Sequence, residues 1–325
     1  MSKTKVALVG CDFVGMSLGL AIKRALRDVE VVGHDKDRDA MRRAEGARAI
    51  DRGEWNLPNA CEGAAAIFIC EPHEALEVTL RAIAPDLGPH TIVATVGGSN
   101  VAALRMAESV LVGNVPFFST SLVYHPDRAN DDAVLPTADT IRDAIWTIVP
   151  SRSASTQMVD TFVALANQVG ARPIFVDPVE RDGMAVAVEA MPMILGSLLM
   201  LAVSSDAAWS EREWMAGSAF GQIVSGAEHA PKYAAALEAQ PDTAVHWLNQ
   251  IMLQCMALRD AIAARNTEAV ERLLTQAEER RQQWLADRRR GRIEGHIPIE
   301  RDAGGLLKLL VGERMADRLA GNKKR

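Results

Sequence analysis

The sequence predicts a doubly wound, mainly parallel α/β sheet followed by an all-α domain, and three observations carry that expectation. Short β-branched runs alternate with helical periodicity up to about residue 176. A glycine-bearing turn follows the first of those runs directly. Beyond Asp177-Pro178 the strand signal stops, and apolar residues recur only at helical spacing.

In chain order, strands are expected over residues 6–9, 29–32, 66–70, 91–96, 115–118, 144–149 and 172–176, where Val, Ile and Phe dominate. Between them, residues 16–26, 38–45, 74–84, 101–111 and 155–169 place apolar side chains three and four apart, as helices crossing between parallel strands would. The second half reads as helices over 182–204, 209–225, 232–237, 243–264 and 267–287. The first of these is apolar on nearly every side (Met191, Met193, Ile194, Leu195, Leu198, Leu199, Met200, Leu201), so it demands burial all round. The core of a homodimer supplies that burial most simply. A polar stretch then leads to an amphipathic segment over 306–319, expected to pack on its own body because the stripe is short and lacks aromatic anchors.

Composition narrows the class. With 325 residues, 48% hydrophobic and 24% charged, the chain can bury a full core and is neither fibrous nor disordered. The net charge is −6 while basic residues gather after residue 288, so the body is the more acidic part and no nucleic-acid partner is expected. Cys11, Cys61, Cys70 and Cys255 show neither CxxC nor Cys/His spacing, so no metal site and no disulfide framework is expected. No signal-peptide pattern and no unbroken apolar run of about 18 residues is seen, so a cytoplasmic protein without a membrane span is expected.

The first turn reads Gly10-Cys11-Asp12-Phe13-Val14-Gly15, in the strand-turn-helix context of a Rossmann-type dinucleotide fingerprint. Gly10 takes the place of the glycine that makes the tight turn, and Gly15 that of the glycine that lets helix and strand pack. Asp12 stands where a second glycine normally lets a diphosphate approach the amides of the helix N-terminus. A carboxylate there is expected to repel a dinucleotide. Asp35, twenty residues after Gly15, ends the second strand where an acidic side chain accepts hydrogen bonds from ribose hydroxyls, which favours NAD over NADP. Phe13, Val14 and Pro72 complete the expected cofactor-binding set. The expected domains are thus a dinucleotide-binding domain over 1–176, a helical dimerisation and substrate domain over 177–287, and a basic tail over 288–325.

Several landmarks recur in order: Gly15-Met-Ser-Leu-Gly19, Val32-Gly-His-Asp35, Glu71-Pro72, Ile92-Val-Ala-Thr-Val-Gly97, His125-Pro126, Trp146-Thr-Ile-Val-Pro150, Asp177-Pro-Val-Glu-Arg-Asp182 and Met191-Pro192. Together they resemble the prephenate/arogenate dehydrogenase family of tyrosine biosynthesis over about residues 5–285. The resemblance implies a nucleotide-binding domain joined to a helical dimerisation domain, NAD as cofactor, and a small-molecule substrate that loses hydride and then carbon dioxide. It also implies that His125 contacts the ring hydroxyl of the substrate and assists its deprotonation, a role that suits imidazole near neutrality. Ser99 is the catalytic serine if its loop is shifted by one. Three departures stand beside these matches. Ala190 replaces a histidine of the family, Ser225 replaces the arginine that binds substrate carboxylate, and Arg128 is the remaining cation on the loop after His125. Two readings follow: an NAD-dependent dehydrogenase acting on prephenate, arogenate or a less anionic relative, or a non-catalytic dimeric relative with an interaction role.

Overall fold

The structure, a computed structural model, describes residues 3–128 and 135–291. The amphipathic segment expected over 306–319 and most of the basic tail lie outside the described residues. The chain divides into two compact units, Met1–Asp177 with Leu285–Arg325, and Pro178–Trp284.

In the first unit eight strands form one sheet: β1 Thr4–Val9, β2 Val29–His34, β3 Arg52–Gly53, β4 Ala66–Ile69, β5 Ile92–Val96, β6 Phe117–Val123, β7 Ile145–Pro150 and β8 Arg172–Phe175. Their order is β3-β2-β1-β4-β5-β6-β7-β8. All pairings are parallel except β6 with β7. The helices are α1 Phe13–Ala25, α2 Arg38–Gly46, α3 Leu57–Cys61, α4 Leu76–Ile83, α5 Asn100–Val110 and α6 Thr156–Gln168. The sheet is covered on both faces, which is why its strands read as unbroken apolar runs. One face packs Leu8, Leu18, Ile22, Phe68, Trp146 and Phe162 into a core, the other Val9, Ile67, Leu80, Val93 and Phe117.

Three elements of this unit differ from the sequence-based expectation. β6 extends to Val123 through Ser119-Thr120-Ser121, a polar run without strand periodicity. Two of its three hydroxyls are satisfied internally: Ser119 Oγ donates to Asn100 Oδ1, Thr120 Oγ1 donates to the Thr95 carbonyl, and the Trp146 indole donates to Thr120 Oγ1, while the buried Ser121 Oγ has no partner among the described residues. β3 and α3 are too short to leave a periodic signal.

The second unit is helical: α7 Pro178–Ala185, α8 Met191–Val203, α9 Trp209–Arg212, α10 Ser218–Val224, α11 Ala230–Ala239 and α12 Pro241–Ala263, with α13 Thr267–Arg289 carrying the chain back into the first unit. Between α7 and α8 a π-turn spans Val186–Ala190, just before Pro192, whose ring nitrogen has no hydrogen for the Val188 carbonyl. The single helix expected over 209–225 is broken, because Ala216 and Gly217 are extended. α8 meets the following segment backbone to backbone. A Cβ at Gly196 would collide with the Ile223 carbonyl, and one at Gly226 would lie 2.6 Å from the Met193 Cα. The run Pro178–Val203 is long and apolar enough to cross a membrane by length and composition, and 22% of its most apolar window is buried.

Candidate functional site

The strand order reverses direction at β1, with β2 and β3 to one side and β4 to β6 to the other. Such a switch point leaves a crevice beyond the carboxyl ends of the strands, where doubly wound folds bind ligands. The turns after β1, β4, β5 and β6 gather at this edge, and they carry most of the residues singled out by sequence.

Gly10 has φ +95°, and a Cβ there would lie 2.9 Å from the Cys70 carbonyl carbon, so the turn after β1 hugs the end of β4 only because residue 10 lacks a side chain. A Cβ on Gly15 would collide with the Gly10 carbonyl, so the third fingerprint position is also sterically required. Asp35 ties this turn to β2. Its Oδ2 accepts from the Cys11 N–H at 2.7 Å and its Oδ1 from the Asp37 N–H at 2.8 Å.

Asp12 is bonded within the turn. It is the N-cap of α1, and its Oδ1 accepts from Val14 N–H at 3.1 Å and Gly15 N–H at 3.4 Å. These are amides of the helix terminus, where a bound diphosphate would otherwise find its donors. The carboxylate therefore takes up these two amides from within the chain. Phe13 meets Tyr124 edge to face, with centroids 5.9 Å apart, which brings the segment after β6 to the same turn. Burial, followed by the charges of Cys70 and Asp12, pushes the Tyr124 phenol well up, so it stays protonated. The nearby thiols are equally unreactive: burial, with Asp35 and Asp12 next, pushes Cys11 up to about 12, and burial raises Cys70.

After β4, Glu71 accepts from Thr79 Oγ1 at 2.6 Å, and Pro72 leads into a short 3₁₀ turn, His73–Ala75. After β5, Gly98 has φ +80°, and a Cβ there would lie 2.9 Å from His73 Nδ1. Ser99 is the N-cap of α5, its Oγ accepting from Ala102 N–H at 3.2 Å. This is a structural use of the hydroxyl.

His125 lies just past β6 and is 8% exposed. Its Nδ1 accepts from the Asp127 backbone N–H at 3.3 Å, so in the neutral ring the proton sits on Nε2. The Asp127 carboxylate is 3.9 Å from the same nitrogen and is held by Arg289. In this form Nε2 can donate to a substrate oxygen. It can take a proton there only if the Nδ1 bond to Asp127 is first exchanged. Sequence reasoning passed over Arg288, Arg289 and the amide of Asp127, because no local pattern brings residue 289 to residue 127. The Arg128 side chain lies outside the described residues.

In the second unit Ser225 is exposed, and its Oγ donates to the Gln222 carbonyl at 2.8 Å. Ala190, at the place of the expected histidine, is buried. Beside it the buried Arg181 pairs with Glu189 at 2.9 Å and with Asp182 at 3.7 Å.

Residues 18–175 match the family described as prephenate dehydrogenase, nucleotide-binding domain. The match begins inside α1, after the turn that Asp12 alters. The chain is 21% identical over 199 residues to a cyclohexadienyl dehydrogenase of Zymomonas mobilis, covering 61% of this chain and 67% of that one. It is 23% identical over 201 residues to a prephenate dehydrogenase of Bacillus subtilis, covering 61% of this chain and 53% of that one. Among solved structures, prephenate dehydrogenase of A. aeolicus in complex with hydroxyphenyl propionate and NAD+ superposes with a TM-score of 0.68 at 15% identity, over 87% of this chain and 99% of the other. Arogenate dehydrogenase of Synechocystis gives 0.64 at 18% identity, over 86% and 100%. At these identities the structural matches establish the fold.

Proposed function

Through its nucleotide-binding domain the chain belongs to the prephenate/arogenate dehydrogenase family, and from that premise we propose that it is an NAD-dependent oxidoreductase that removes hydride from a cyclohexadienol-type or related small substrate. The observation that carries this reading is the turn at the switch point. Gly10 and Gly15 are sterically required there, and Asp35 is bonded into the same turn through Cys11. Asp35 would hold the adenosine ribose, and its carboxylate would meet the 2′-phosphate of NADP, so NAD is the cofactor of choice. Phe13, Val14 and Pro72 would flank it.

These residues fit the ribose and the close turn of a dinucleotide. They fit its diphosphate once Asp12 turns away from the Val14 and Gly15 amides. When bound, NAD+ supplies the hydride acceptor. The chain's own contribution is to orient the substrate and manage a proton. His125 donates from Nε2 to the substrate oxygen, and it accepts that oxygen's proton when its own proton resides on Nδ1. Ser99, once its hydroxyl leaves the α5 cap, and Arg128 are the partners proposed for it, and Ser225 is proposed to contact the substrate.

The helical unit is proposed to form a homodimer. Leu198, Leu201, Met252, Leu253 and Ile262 are between 46% and 66% exposed on the single chain, a concentration that association would cover. The buried Arg181, paired with the buried Asp182 and with the exposed Glu189 within the long apolar run, favours protein rather than lipid around it. A cytoplasmic location follows from that reading. The alternative, a non-catalytic dimeric relative with an interaction role, is favoured by the Asp12 cap and by the missing cation at Ser225.

The test is NADH formation with prephenate and with arogenate, for the natural protein and for Ser225→Arg. Prephenate carries two carboxylates, so the natural protein should turn it over poorly, and the added guanidinium should raise kcat/KM. Natural turnover of prephenate at or above about 10⁴ M⁻¹s⁻¹ would mean that another cation binds the carboxylate. No NADH from either protein with either substrate would favour the non-catalytic reading.

A further inference from the structure

The end of α13 returns to the first unit and closes on the segment that carries His125. Arg288 Nη2 donates to the carbonyls of Tyr124 at 3.2 Å and Val123 at 3.4 Å, at the end of β6. Arg289 grips the Asp127 carboxylate with two donors, Nε to Oδ2 at 2.7 Å and Nη2 to Oδ1 at 3.2 Å. The helix stops there because Gly291 has φ +66° and the Arg172 guanidinium fills the space a side chain would need. Arg172 is in turn fixed by Asp143 at 3.0 Å. Three contacts thus fasten residues 288–291 to the ends of β6 and β8.

The two-pronged grip has a chemical consequence two residues upstream. Asp127 offers His125 two groups of opposite character: a backbone N–H, which needs a lone pair on Nδ1, and a carboxylate, which needs a proton on Nδ1. With Arg289 bound, the amide is at hydrogen-bond distance, 3.3 Å, and the carboxylate is beyond it at 3.9 Å. A charge-assisted, two-pronged pair outcompetes a single bond from neutral imidazole. We propose that Arg289 is a positioning residue that decides, through Asp127, which nitrogen of His125 carries the proton.

While the grip holds, neutral His125 bears its proton on Nε2 and is a hydrogen-bond donor. When the grip is released, Asp127 turns its carboxylate to Nδ1. The proton then leaves Nε2 for solvent, another is taken up at Nδ1, and Nε2 is left with the lone pair a general base requires. No net proton is gained or lost. The terminus of α13 therefore sets whether the ring is ready to donate or to accept. This rests on the reading of His125 as the acid-base group, but its test needs no turnover.

The experiment is two-bond ¹H–¹⁵N correlation spectroscopy of the histidine rings in the full chain, with His125 assigned by the loss of its signals in His125→Gln. In the natural protein at a pH where the ring is neutral, Nε2 should be the protonated nitrogen. Arg289→Gln should move the proton to Nδ1 in most molecules, and Arg289→Lys, which keeps a cation beside Asp127, should retain the natural pattern. Arg289→Gln combined with Asp127→Asn should return to the Nε2–H form, since no carboxylate is left to claim Nδ1. That reversal separates the proposal from simple loosening of the segment. An Nδ1–H form in the natural protein, an unchanged ring in Arg289→Gln, or a double variant that behaves like Arg289→Gln alone would each overturn it. A positive result alongside absent NADH formation would leave the tautomer control standing and the dehydrogenase reading fallen.

Discussion

At the turn after β1, the Asp12 carboxylate and a bound diphosphate would compete for the Val14 and Gly15 amides. Replacing an N-cap aspartate by glycine costs the helix only a few tenths of a kcal/mol, so the cap itself is a weak barrier. The larger obstacle is the like charge. Two unit charges about 4–6 Å apart at an effective dielectric near 20 repel by about 3–4 kcal/mol before screening, and exposure of Asp12 reduces this. Sequence alone shows the carboxylate in a glycine place, which is visible in one line. It left out the direction of the side chain, which depends on the cap geometry. His125 shows the opposite balance: its identity as a candidate was legible, but its protonation form was not, because that is set by residues 127 and 289. If the protein turns over a substrate, His125→Asn should lower kcat by about 10²–10⁴-fold while changing NAD+ affinity little. A matched loss in cofactor binding would mean the ring supports the nucleotide site instead.

At the scale of elements, strands with apolar runs were readable and polar ones were not. β1, β2, β4 and β5 are buried on both faces and announce themselves in sequence. Ser119, Thr120 and Ser121 of β6 are buried too, yet they carry hydroxyls, two of which Asn100, Thr95 and Trp146 satisfy, and no periodicity can reveal such pairing. Asp51 shows how one side chain links elements: its Oδ2 accepts from the Val31 N–H of β2 at 2.8 Å, and its Oδ1 pairs with Lys23 of α1 at 2.7 Å. Partial burial pushes the carboxyl up, but the Lys23 ammonium and the Val31 amide outweigh it, so its pKa falls below the ordinary 3.8. A depressed folded value stabilises the protein above the unfolded pKa, and the benefit disappears as pH drops through the folded one. Asp51→Ala should therefore cost about 1 kcal/mol near neutrality. In denaturant unfolding, the gap to the natural protein should narrow as pH falls below 3.8. A gap that persists unchanged at low pH would assign the contribution to packing.

For the whole molecule, the first unit packs an apolar core on each face of its sheet, whereas the helices of the second expose Leu201 at 66% and Ile262 at 58%. The all-round apolar character of α8 was plain from sequence; its backbone contacts at Gly196 and Gly226 were not, since a glycine does not name its neighbour. Sedimentation at micromolar concentration should give about twice the 35.2 kDa of the chain. A monomer would leave the exposed helical faces to a different partner. If the turn after β1 receives a dinucleotide, Asp12 holds the amides that the diphosphate needs. Calorimetric titration of NAD+ into the natural protein and into Asp12→Gly reads this competition. Weak binding to the natural protein is expected, and binding tighter by about 1–3 kcal/mol in the variant, the screened remainder of the repulsion. Equal or weaker binding in the variant, or no binding to either, would contradict it.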